Sequence, residues 1–347
     1  MSVRLRVAGA EWRAHQRRLA AETPGLVPVA KGNGYGFGLG LLAGEAQSLG
    51  ADTLAVGTGL EVGAVGAFTG QLVVLQPWRA YEPGADQLLA DPRVVHTVSR
   101  VEDLRRLVAS GRRPRVLLEL LTSMRRHGLQ LAELGEVRQL LSEDRVEVVG
   151  WTVHLPMPGA ADGNLAEAQR LASAAVAVRP VPVWFSHVTP AEYAQLRQTV
   201  PTGTRMRVGT RLWLGGTGLY QTTATVLDCH PVRRGEKTGY WQRTVPVDGH
   251  VVVVSGGTAH GIALEAPTAA ANPRQRVISA VTGSMEAVGL ARSPFTVGGK
   301  KRWFVEPPHM QSSMVFLPGS QPPEPGEEVP VELRLTTASV DEVLVSQ

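Results

Sequence analysis

The most informative part of the sequence is the stretch Val27-Pro-Val-Ala-Lys31-Gly-Asn-Gly-Tyr35-Gly-Phe-Gly-Leu-Gly40. Its first four residues are apolar, as in a buried parallel strand, and Lys31 follows them directly. Lys31 is the only lysine among the first hundred residues, and five alternating glycines come after it. The sequence therefore predicts a charged amine at the C-terminal end of a strand, which is where α/β enzymes carry their chemistry.

The lysine of this loop allows two interpretations. Burying an ammonium is costly, so such a lysine either stays in water on a flexible surface loop or is buried with a partner or for a chemical function. A buried lysine can lower its pKa, or condense with an aldehyde cofactor and so lose its charge. The glycines let the backbone approach a ligand closely. From this stretch alone, both interpretations remain open.

Length and composition favour a large globular protein. The chain has 347 residues, 43% of them hydrophobic, which suggests two domains or one barrel with an appendage. The net charge of +4 comes from arginines that are scattered along the chain, so we expect no nucleic-acid partner. Cys229 is the only cysteine, which excludes an internal disulfide and a cysteine-rich zinc site. We expect no metal.

The sequence contains no segment that is typical of membrane insertion. The start lacks the apolar core of a signal peptide, and no later run approaches the roughly 18 apolar residues that cross a bilayer. We therefore expect a cytoplasmic protein without a membrane partner.

Strand-like and helix-like segments alternate over about the first two hundred residues. The predicted strands of this part, after a short first strand in Met1–Ala8, are Leu26–Ala30, Thr53–Gly57, Gln71–Leu75, Val94–Val98, Arg115–Glu119, Val146–Val153, Val183–His187 and Met206–Val208. The predicted helices are Glu11–Ala21, Leu39–Leu49, Gly59–Ala67, Val101–Ala109, Gln130–Leu141, Gly163–Val178 and Ala191–Thr199. Eight strands alternating with helices favour a (β/α)8 TIM-type barrel over a doubly wound sheet.

The pattern changes after Leu214. Short β-rich runs follow one another between Gly, Pro and Asp turns, and helical periodicity is lost. The predicted strands here are Ala224–Leu227, His250–Val254, Ser313–Leu317 and Val329–Leu335, with an irregular insertion at Thr268–Lys301 and a loop at Pro318–Glu327. We predict a barrel over residues 9–219 and a C-terminal all-β domain formed by residues 220–347 together with the first strand, residues 1–8.

At this point the chain resembles the bacterial alanine racemases, pyridoxal 5'-phosphate enzymes built from a barrel and a β domain. The family loop Lys-Ala-Asn-Ala-Tyr-Gly-His-Gly appears here as Lys31-Gly-Asn-Gly-Tyr35-Gly-Phe-Gly38. The resemblance implies that Lys31 holds the cofactor covalently and that Tyr35 lines the cofactor site. It covers nearly the whole chain and is weaker towards the C-terminus.

A second motif concerns the substrate carboxylate. Glu119-Leu-Leu-Thr-Ser-Met-Arg-Arg-His-Gly128 is similar to the family's Lys-x-Asp-Thr-Gly-Met-x-Arg-x-Gly. By this match Arg126 would contact the phenolic oxygen of the cofactor and orient the substrate. Glu119 stands where many members carry a carbamylated lysine, and we expect its carboxylate to hold the guanidinium of Arg126. The alternative is an ordinary surface pair.

Two further motifs belong to the barrel. Gly150-Trp-Thr-Val-His154 resembles a family strand whose histidine hydrogen-bonds the catalytic tyrosine, although a histidine at a strand end is also common in protein cores. Arg207-Val-Gly209-Thr210 resembles the segment whose arginine faces the pyridine nitrogen. A guanidinium there keeps that nitrogen unprotonated and favours proton exchange at Cα.

The cofactor phosphate has three predicted contacts. The resemblance places Gly209 and Thr210 at backbone amides for the phosphate. Thr189 would add a hydroxyl, although Ser186-His-Val-Thr-Pro190 matches its family motif poorly.

The second base is predicted in the β domain. Arg234-Gly-Glu-Lys-Thr-Gly-Tyr240 resembles the family segment whose tyrosine acts on the opposite face of the substrate from the lysine. In the family this tyrosine reaches the site of the other subunit, so the resemblance implies a homodimer. The alternative is a hairpin tyrosine whose ring packs on the sheet.

The sequence departs from the family at the substrate entrance. Thr258 replaces the tyrosine of Gly-Tyr-Ala-Asp-Gly, while Met310 keeps the methionine that caps the substrate and is followed by Gln311 in place of Asp. The family's C-terminal phosphate-binding tyrosine is missing, since residues 337–347 contain none. We expect Thr258 to widen the entrance and His260 to join it, so that the substrate is bulkier than alanine.

Three functions follow from these observations. The first is a pyridoxal-phosphate-dependent amino-acid racemase that uses Lys31 and Tyr240 as its two bases, with Arg126 and His154 as further catalytic residues. The second is a decarboxylase or aldolase on the same fold, against which Arg207 argues. The third is a pyridoxal-phosphate-binding protein that has lost efficient racemisation.

Overall fold

The computed structural model describes residues 2–157, 164–216, 218–264, 291–319 and 321–347. The strands in these ranges are β1 (Val3–Val7), β2 (Leu26–Pro28), β3 (Thr53–Val56), β4 (Gln71–Val74), β5 (Val94–Val98), β6 (Arg115–Leu120), β7 (Glu147–His154), β8 (Val183–Ser186), β9 (Thr204–Val208), β10 (Tyr220–Val232), β11 (Lys237–Thr238), β12 (Arg243–Thr244), β13 (Gly249–Ser255), β14 (Arg292–Val297), β15 (Lys300–Phe304), β16 (Ser312–Pro318), β17 (Glu328–Pro330) and β18 (Glu342–Val345).

The helices in the same ranges lie mostly between the parallel strands. They are α1 (Gly9–Glu22), α2 (Leu39–Ser48), α3 (Ala85–Leu88), α4 (Val101–Ala109), α5 (Leu134–Ser142), α6 (Asn164–Val178), α7 (Pro190–Thr199) and α8 (Thr210–Trp213), with short 3-10 helices at Gly34–Gly36, Gly59–Val65, Leu131–Glu133 and Thr258–His260. Among the described residues, every helix is too short or too polar to span a lipid bilayer.

The chain forms two compact units. The barrel unit consists of Arg13–Gly34 and Gly38–Gly216, and the β unit consists of Met1–Trp12, Tyr35–Phe37 and Thr217–Gln347. The short segment Tyr35–Phe37 lies within the glycine-rich stretch but belongs to the β unit, whereas the residues on both sides of it belong to the barrel unit.

The barrel unit contains one parallel sheet of eight strands in the order β2-β9-β8-β7-β6-β5-β4-β3. A bridge between Val29 and Ala55 joins its two ends, so the sheet is nearly closed. Its inner residues form one cluster of buried side chains, Val27, Val29, Ala55, Val73, Val95, Leu117 and Trp184. Side chains fill the inside, as expected for a barrel of this size. The predicted (β/α)8 barrel is therefore confirmed.

The β unit contains a second eight-stranded sheet in the order β14-β15-β16-β13-β10-β1-β18, with β17 paired to β10. Neighbouring strands are antiparallel except β1 and β18, which are parallel. Strands β11 and β12 form a separate hairpin. The predicted C-terminal all-β part is confirmed.

Three element predictions need correction. The segment Gly59–Ala67 forms a 3-10 helix over Gly59–Val65, in line with its high glycine content. The run Val329–Leu335 keeps a strand only at Glu328–Pro330. In the insertion predicted at Thr268–Lys301, residues 265–290 lie outside the described ranges, while Arg292–Val297 and the start of Lys300–Phe304 are strands.

Candidate active site

Lys31 follows β2 at the C-terminal end of the barrel strands. The amide of Ala30 donates to the carbonyl of Ala55 over 2.8 Å, which keeps the main chain paired up to the lysine. The turn then closes, as the amide of Gly34 donates to the carbonyl of Lys31 over 3.1 Å. Gly32 and Gly34 have φ values of 61° and 63°, which favour glycine. The glycines therefore allow the chain to turn directly after the lysine.

Glu61, for which the sequence carries no motif, ties this turn to the end of β3. Its Oε1 accepts a hydrogen bond from the amide of Gly32 over 3.0 Å, and its Oε2 accepts one from the amide of Gly57 over 2.7 Å. A Cβ added to Gly57 would lie 3.0 Å from the Cβ of Lys31. The carboxylate of Glu61 thus holds the backbone on two sides of the lysine.

The pKa of Lys31 is lowered. Its side chain is exposed at the barrel end, yet neighbouring protein atoms desolvate the ammonium, and this is the main cause. The positive charges of Arg126 and Arg207 lower the pKa further, whereas Glu61 opposes them. At neutral pH a larger share of the amine is therefore unprotonated, and nucleophilic, than in a free lysine.

Arg207 lies buried at the end of β9. Its Nη2 donates to the Oγ of Ser186 over 3.1 Å and lies 3.4 Å from the Nδ1 of His154. Burial lowers the pKa of Arg207 to about 10, with Glu119 opposing and Arg126 adding to the shift, so the guanidinium stays charged at neutral pH. Its Nε is buried without a hydrogen-bond partner among the described residues.

The imidazole of His154 is neutral. Burial, followed by the charges of Arg207 and Arg126, lowers its pKa to about 2. Its Nδ1 lies 2.8 Å from the Oγ of Ser186, and the Arg207 guanidinium beside it can only donate. Nδ1 is therefore the acceptor, and the proton resides on Nε2.

His187 completes this group, although the sequence motifs do not include it as a site residue. Its ring lies 4.8 Å from that of His154, centroid to centroid, and burial together with Arg207 lowers its pKa. Its φ of 64° is unusual for a residue other than glycine, and strained backbone of this kind clusters at functional sites. A motif search has little chance of finding it because only the fold brings β7 and β8 side by side.

Glu119 does not form the predicted fork with Arg126. The carboxylate is buried on β6, its Oε2 has no hydrogen-bond partner, and no ion pair joins it to Arg126 in the described part of the chain. Burial raises its pKa, while the charges of Arg207, Arg126 and Arg79 oppose the rise. The reason is position: Glu119 lies within the strand, whereas Arg126 is exposed on the loop beyond it. Its influence on the arginines is electrostatic.

The loop that carries Arg126 leaves β6 and returns beside it. The amide of Leu121 donates to the carbonyl of Leu129, and the amide of Leu129 donates to the carbonyl of Glu119 over 2.7 Å. Gly128 has a φ of 137°, and a Cβ there would lie 2.2 Å from the amide nitrogen of Leu121. Glycine is therefore required where the loop closes.

The three residues predicted for the phosphate lie beyond β8 and β9. Gly209 directly follows β9, and Thr210 begins α8. Thr189 is the N-terminal cap of α7: its Oγ1 accepts a hydrogen bond from the amide of Glu192 over 3.2 Å. Its hydroxyl proton is not used by this cap.

Tyr35 is buried and belongs to the β unit, with a φ of 55°. Next to it, Phe37 stacks on Trp12 with ring centroids 4.8 Å apart. The segment after the lysine loop is thus held by aromatic packing inside the β unit.

The β unit brings together the other three predicted residues, Tyr240, Thr258 and Met310. Tyr240 is 82% exposed at the tip of the β11–β12 hairpin, and Met310 is 70% exposed. The amide of Thr258 donates to the carbonyl of His309 over 2.9 Å, and the ring of His309 lies 5.1 Å from that of Tyr240. Gly257 permits this approach, since a Cβ there would lie 1.9 Å from the carbonyl oxygen of His309.

The prediction that His260 joins a substrate entrance is wrong. His260 is buried, and its Nε2 lies 3.2 Å from both carboxylate oxygens of Asp341. Its Nδ1 accepts a hydrogen bond from the amide of Gly257. The imidazole therefore ties a turn to the segment before β18 and is not available to a substrate.

The barrel unit has the sequence signature of a known family. The family model described as the N-terminal domain of alanine racemase matches residues 7–214. The chain belongs to the alanine racemase family. No curated protein matches the sequence.

Solved structures of alanine racemases share this fold. The enzyme from D-cycloserine-producing Streptomyces lavendulae is 22% identical with a TM-score of 0.69, and the match covers 95% of this chain and 87% of that chain. The enzyme from Bartonella henselae, whose structure contains covalently bound pyridoxal phosphate, is 17% identical with a TM-score of 0.69 over 96% and 90% of the two chains. The alanine racemase from Acinetobacter baumannii is 15% identical with a TM-score of 0.68 over both full lengths. At these identities the similarity shows the fold.

The barrel residues fit an aldehyde cofactor that carries a ring nitrogen. Lys31 offers an amine with a lowered pKa, which is the form that condenses with an aldehyde. The buried Nε of Arg207 lacks a partner, and a donor of this kind suits a ring nitrogen that only accepts. The donor set therefore agrees with pyridoxal 5'-phosphate.

Proposed function

We propose that this protein is a pyridoxal-phosphate-dependent amino-acid racemase that works by a two-base mechanism. The observation that carries the proposal is the group formed by Lys31, Arg126, His154 and Arg207 at the C-terminal end of the barrel strands. In this group the lysine has a lowered pKa and the histidine is neutral. Family membership supports the same reaction class.

Lys31 would hold the cofactor and act on one face of the substrate. When bound, the cofactor supplies the electron withdrawal that makes the Cα proton acidic. Arg126 is exposed and has no ion-pair partner in the described ranges, so its guanidinium is available to a substrate carboxylate. The amine of Lys31 would take or return the proton at Cα on its face of the substrate.

Arg207 would keep the cofactor ring nitrogen unprotonated. Its guanidinium remains charged, with a pKa of about 10, and is oriented by Ser186 and His154. A donor that does not lose its proton limits how much negative charge the ring accepts. This favours return of the proton to Cα over decarboxylation or carbon–carbon cleavage.

Tyr240 would act on the opposite face, in the site of a second subunit. Its exposure at a hairpin tip leaves the phenol free to enter another chain, which supports a homodimer. Thr258, smaller than the tyrosine of the family at this position, supports a substrate with a side chain larger than that of alanine.

The test is racemisation by the purified protein, reconstituted with pyridoxal 5'-phosphate. Each member of a panel from L-alanine to large L-amino acids is incubated in deuterium oxide, and both the enantiomeric ratio and deuterium at Cα are followed. We expect interconversion with deuterium uptake, absent in Lys31→Ala. A protein that binds the cofactor and interconverts no enantiomers would contradict the proposal and favour a binding protein. Carbon dioxide or a new aldehyde among the products would favour the decarboxylase or aldolase alternative.

A further inference from the structure

The β unit contains a buried acidic residue beside Tyr240 that the barrel chemistry does not use. Glu306 is only 4% exposed. Its Oε2 accepts a hydrogen bond from the amide of Tyr240 over 2.5 Å, and its Oε1 lies 2.8 Å from the Nε2 of His309. Burying a carboxylate is costly, so a residue of this kind needs partners that compensate it. Among the described residues, its carboxylate contacts the backbone amide of Tyr240 and the imidazole of His309, whose ring lies beside that of Tyr240.

His309 forms the second connection. The 2.8 Å contact between Nε2 of His309 and Oε1 of Glu306 fixes the orientation of the imidazole. The ring of His309 then lies 5.1 Å from that of Tyr240, centroid to centroid, at an angle of 44°. One carboxylate thus holds both the backbone of Tyr240 and the ring against which the phenol rests.

Gly239 makes this approach possible. Its φ of 74° favours glycine, and a Cβ there would lie 2.4 Å from the Oε2 of Glu306. A larger residue would displace the carboxylate from the amide of Tyr240. Glycine at position 239 therefore leaves the space that the carboxylate of Glu306 occupies beside Tyr240.

The hairpin needs such support. Strands β11 and β12 have two residues each, and a hairpin of this size is marginally stable by itself. Tyr240 and Trp241 at its tip are 82% and 63% exposed. A base on so small and exposed an element would lose the alignment that an efficient proton transfer needs, and misplacement by about 1 Å reduces a rate about 100-fold.

We propose that Glu306 and His309 are positioning residues that hold Tyr240, the second base, in its reactive orientation. This inference rests on the proposed function for its kinetic consequences. Its structural part, the immobilisation of Tyr240, is independent of that function.

The structural test is hydrogen exchange of the whole protein across residues 236–244. We expect Glu306→Ala to accelerate exchange in this segment, while exchange in β10, β13 and β16 stays as in the native protein. Glu306→Gln is the matched variant: its amide oxygen still accepts from Tyr240, so exchange there should remain slow. Unchanged exchange in Glu306→Ala would overturn the inference, whether or not the protein racemises anything.

The kinetic test uses His309→Ala and His309→Gln with the cofactor bound. We expect His309→Ala to lower kcat about 10- to 100-fold with KM changed less than about threefold. His309→Gln should recover most of the loss because its amide can donate to Glu306 from nearly the same place. A general structural defect would instead lower the melting temperature and leave both variants equally impaired.

The isotope effect separates positioning from other defects. Substrates deuterated at Cα are measured in both directions, and the direction in which Tyr240 removes the proton is identified with Tyr240→Phe. His309→Ala should raise the isotope effect in that direction alone. An equal rise of the isotope effect in both directions would contradict the inference. A native protein without racemase activity would contradict the proposed function instead, and the hydrogen-exchange experiment would then test the inference alone.

Discussion

Lys31 lies between charges that move its pKa in opposite directions. Desolvation, Arg126 and Arg207 lower the pKa, whereas Glu61 raises it. A lowered pKa means that the amine becomes reactive at a lower pH than a free lysine would. The balance of these charges can be tested one residue at a time.

Replacing Arg126 by Gln should raise the pKa of Lys31. Removal of the nearby positive charge makes protonation of the amine easier, so covalent attachment of pyridoxal phosphate should require a higher pH. The measurement is the rate at which the visible cofactor band forms as a function of pH. Arg125→Gln, which removes the neighbouring charge that is not a cause of the Lys31 shift, is the control and should leave the profile in place. In turnover, Arg126→Gln should lower kcat/KM about 10- to 100-fold because the substrate carboxylate loses its partner.

Replacing Glu61 by Gln should shift the same profile in the opposite direction. The negative charge of Glu61 raises the pKa of Lys31, so its removal should allow attachment at a lower pH. The side chain of glutamine has a single acceptor oxygen, so it can replace the hydrogen bond to the amide of Gly32 or the one to the amide of Gly57, but not both. Hydrogen exchange in the turn formed by residues 30–34 should therefore become faster together with the shift. A shift to higher pH would contradict the expected charge effect of Glu61 on the pKa of Lys31. It would mean that Glu61 affects the lysine through its hydrogen bonds to the backbone of the turn.

At the level of elements, the catalytic groups depend on loops that the barrel strands hold in place. The loop between β6 and α5 carries Arg126 and closes at Gly128, where a Cβ would meet the backbone of Leu120 and Leu121. The conformation of this loop is therefore imposed by close backbone contact and not by a helix or strand of its own.

Substitution of Gly128 by Ala should destabilise the protein by about 1 to 3 kcal/mol, because its φ of 137° and the 2.2 Å approach to Leu121 exclude a Cβ. The matched variant is Gly44→Ala in the middle of α2, where nothing lies within 4 Å of the added carbon. That change should be neutral or stabilise by up to about 1 kcal/mol. Urea unfolding of both variants gives the comparison, and equal midpoints would contradict the prediction.

The first strand of the β unit is fastened to its neighbours by a charged cluster. Hydrogen bonds from Arg6, from Thr223 and then from Arg4 lower the pKa of Glu328 to about 2. Arg6 Nη2 and Arg4 Nη1 lie 2.7 Å and 2.6 Å from its Oε1. These contacts link β1, β10 and β17.

Glu328→Gln should destabilise the protein at neutral pH by about 1 to 2 kcal/mol, a value reduced from the full shift because the arginines are partly in solvent. The pKa of Glu328 is depressed in the folded state, so its contribution is complete above the unfolded value of 4.5 and is lost as the pH falls towards about 2. The difference in unfolding free energy between native protein and variant should shrink over that range. Glu327→Gln, at an exposed neighbour whose side chain makes none of these contacts, is the control and should leave the unfolding free energy at neutral pH close to that of the native protein.

At the scale of the whole molecule, the proposed mechanism divides its two bases between two subunits. Lys31 belongs to the barrel unit and Tyr240 to the β unit. If the tyrosine acts in the partner's site, two inactive variants can restore each other.

Co-expression of Lys31→Ala with Tyr240→Phe should therefore yield measurable racemase activity. A mixed dimer has one site that lacks both bases and one that is intact, so equal mixing should give about a quarter of the native activity. Each variant alone should be nearly inactive. Purified mixed dimers without activity would show that both bases act within one chain.

The eight barrel strands, the all-β part and the family could be predicted from the amino-acid sequence. Continuous buried apolar runs such as Val27–Ala30 and Leu72–Val74 can be recognised in the sequence because a parallel strand that is covered on both faces is rich in apolar residues. Lys31, Arg126, His154 and Arg207 could be found because they lie in local motifs. The edge strands Arg292–Val297 and Glu342–Val345 were not predicted. The first buries only alternate residues, whereas the second has no fully buried residue and pairs with β1 at the other end of the sequence.

Only the folded chain brings these residues into contact. It brings Glu61 to the turn after Lys31, sets Ser186 and His187 beside His154, and assigns His260 to Asp341 instead of to a substrate. It also leaves Glu119 buried without the predicted fork to Arg126. The physical reason is common to all of them: hydrogen bonds and charge effects depend on distances between residues far apart in sequence, and those distances exist only once the strands are paired.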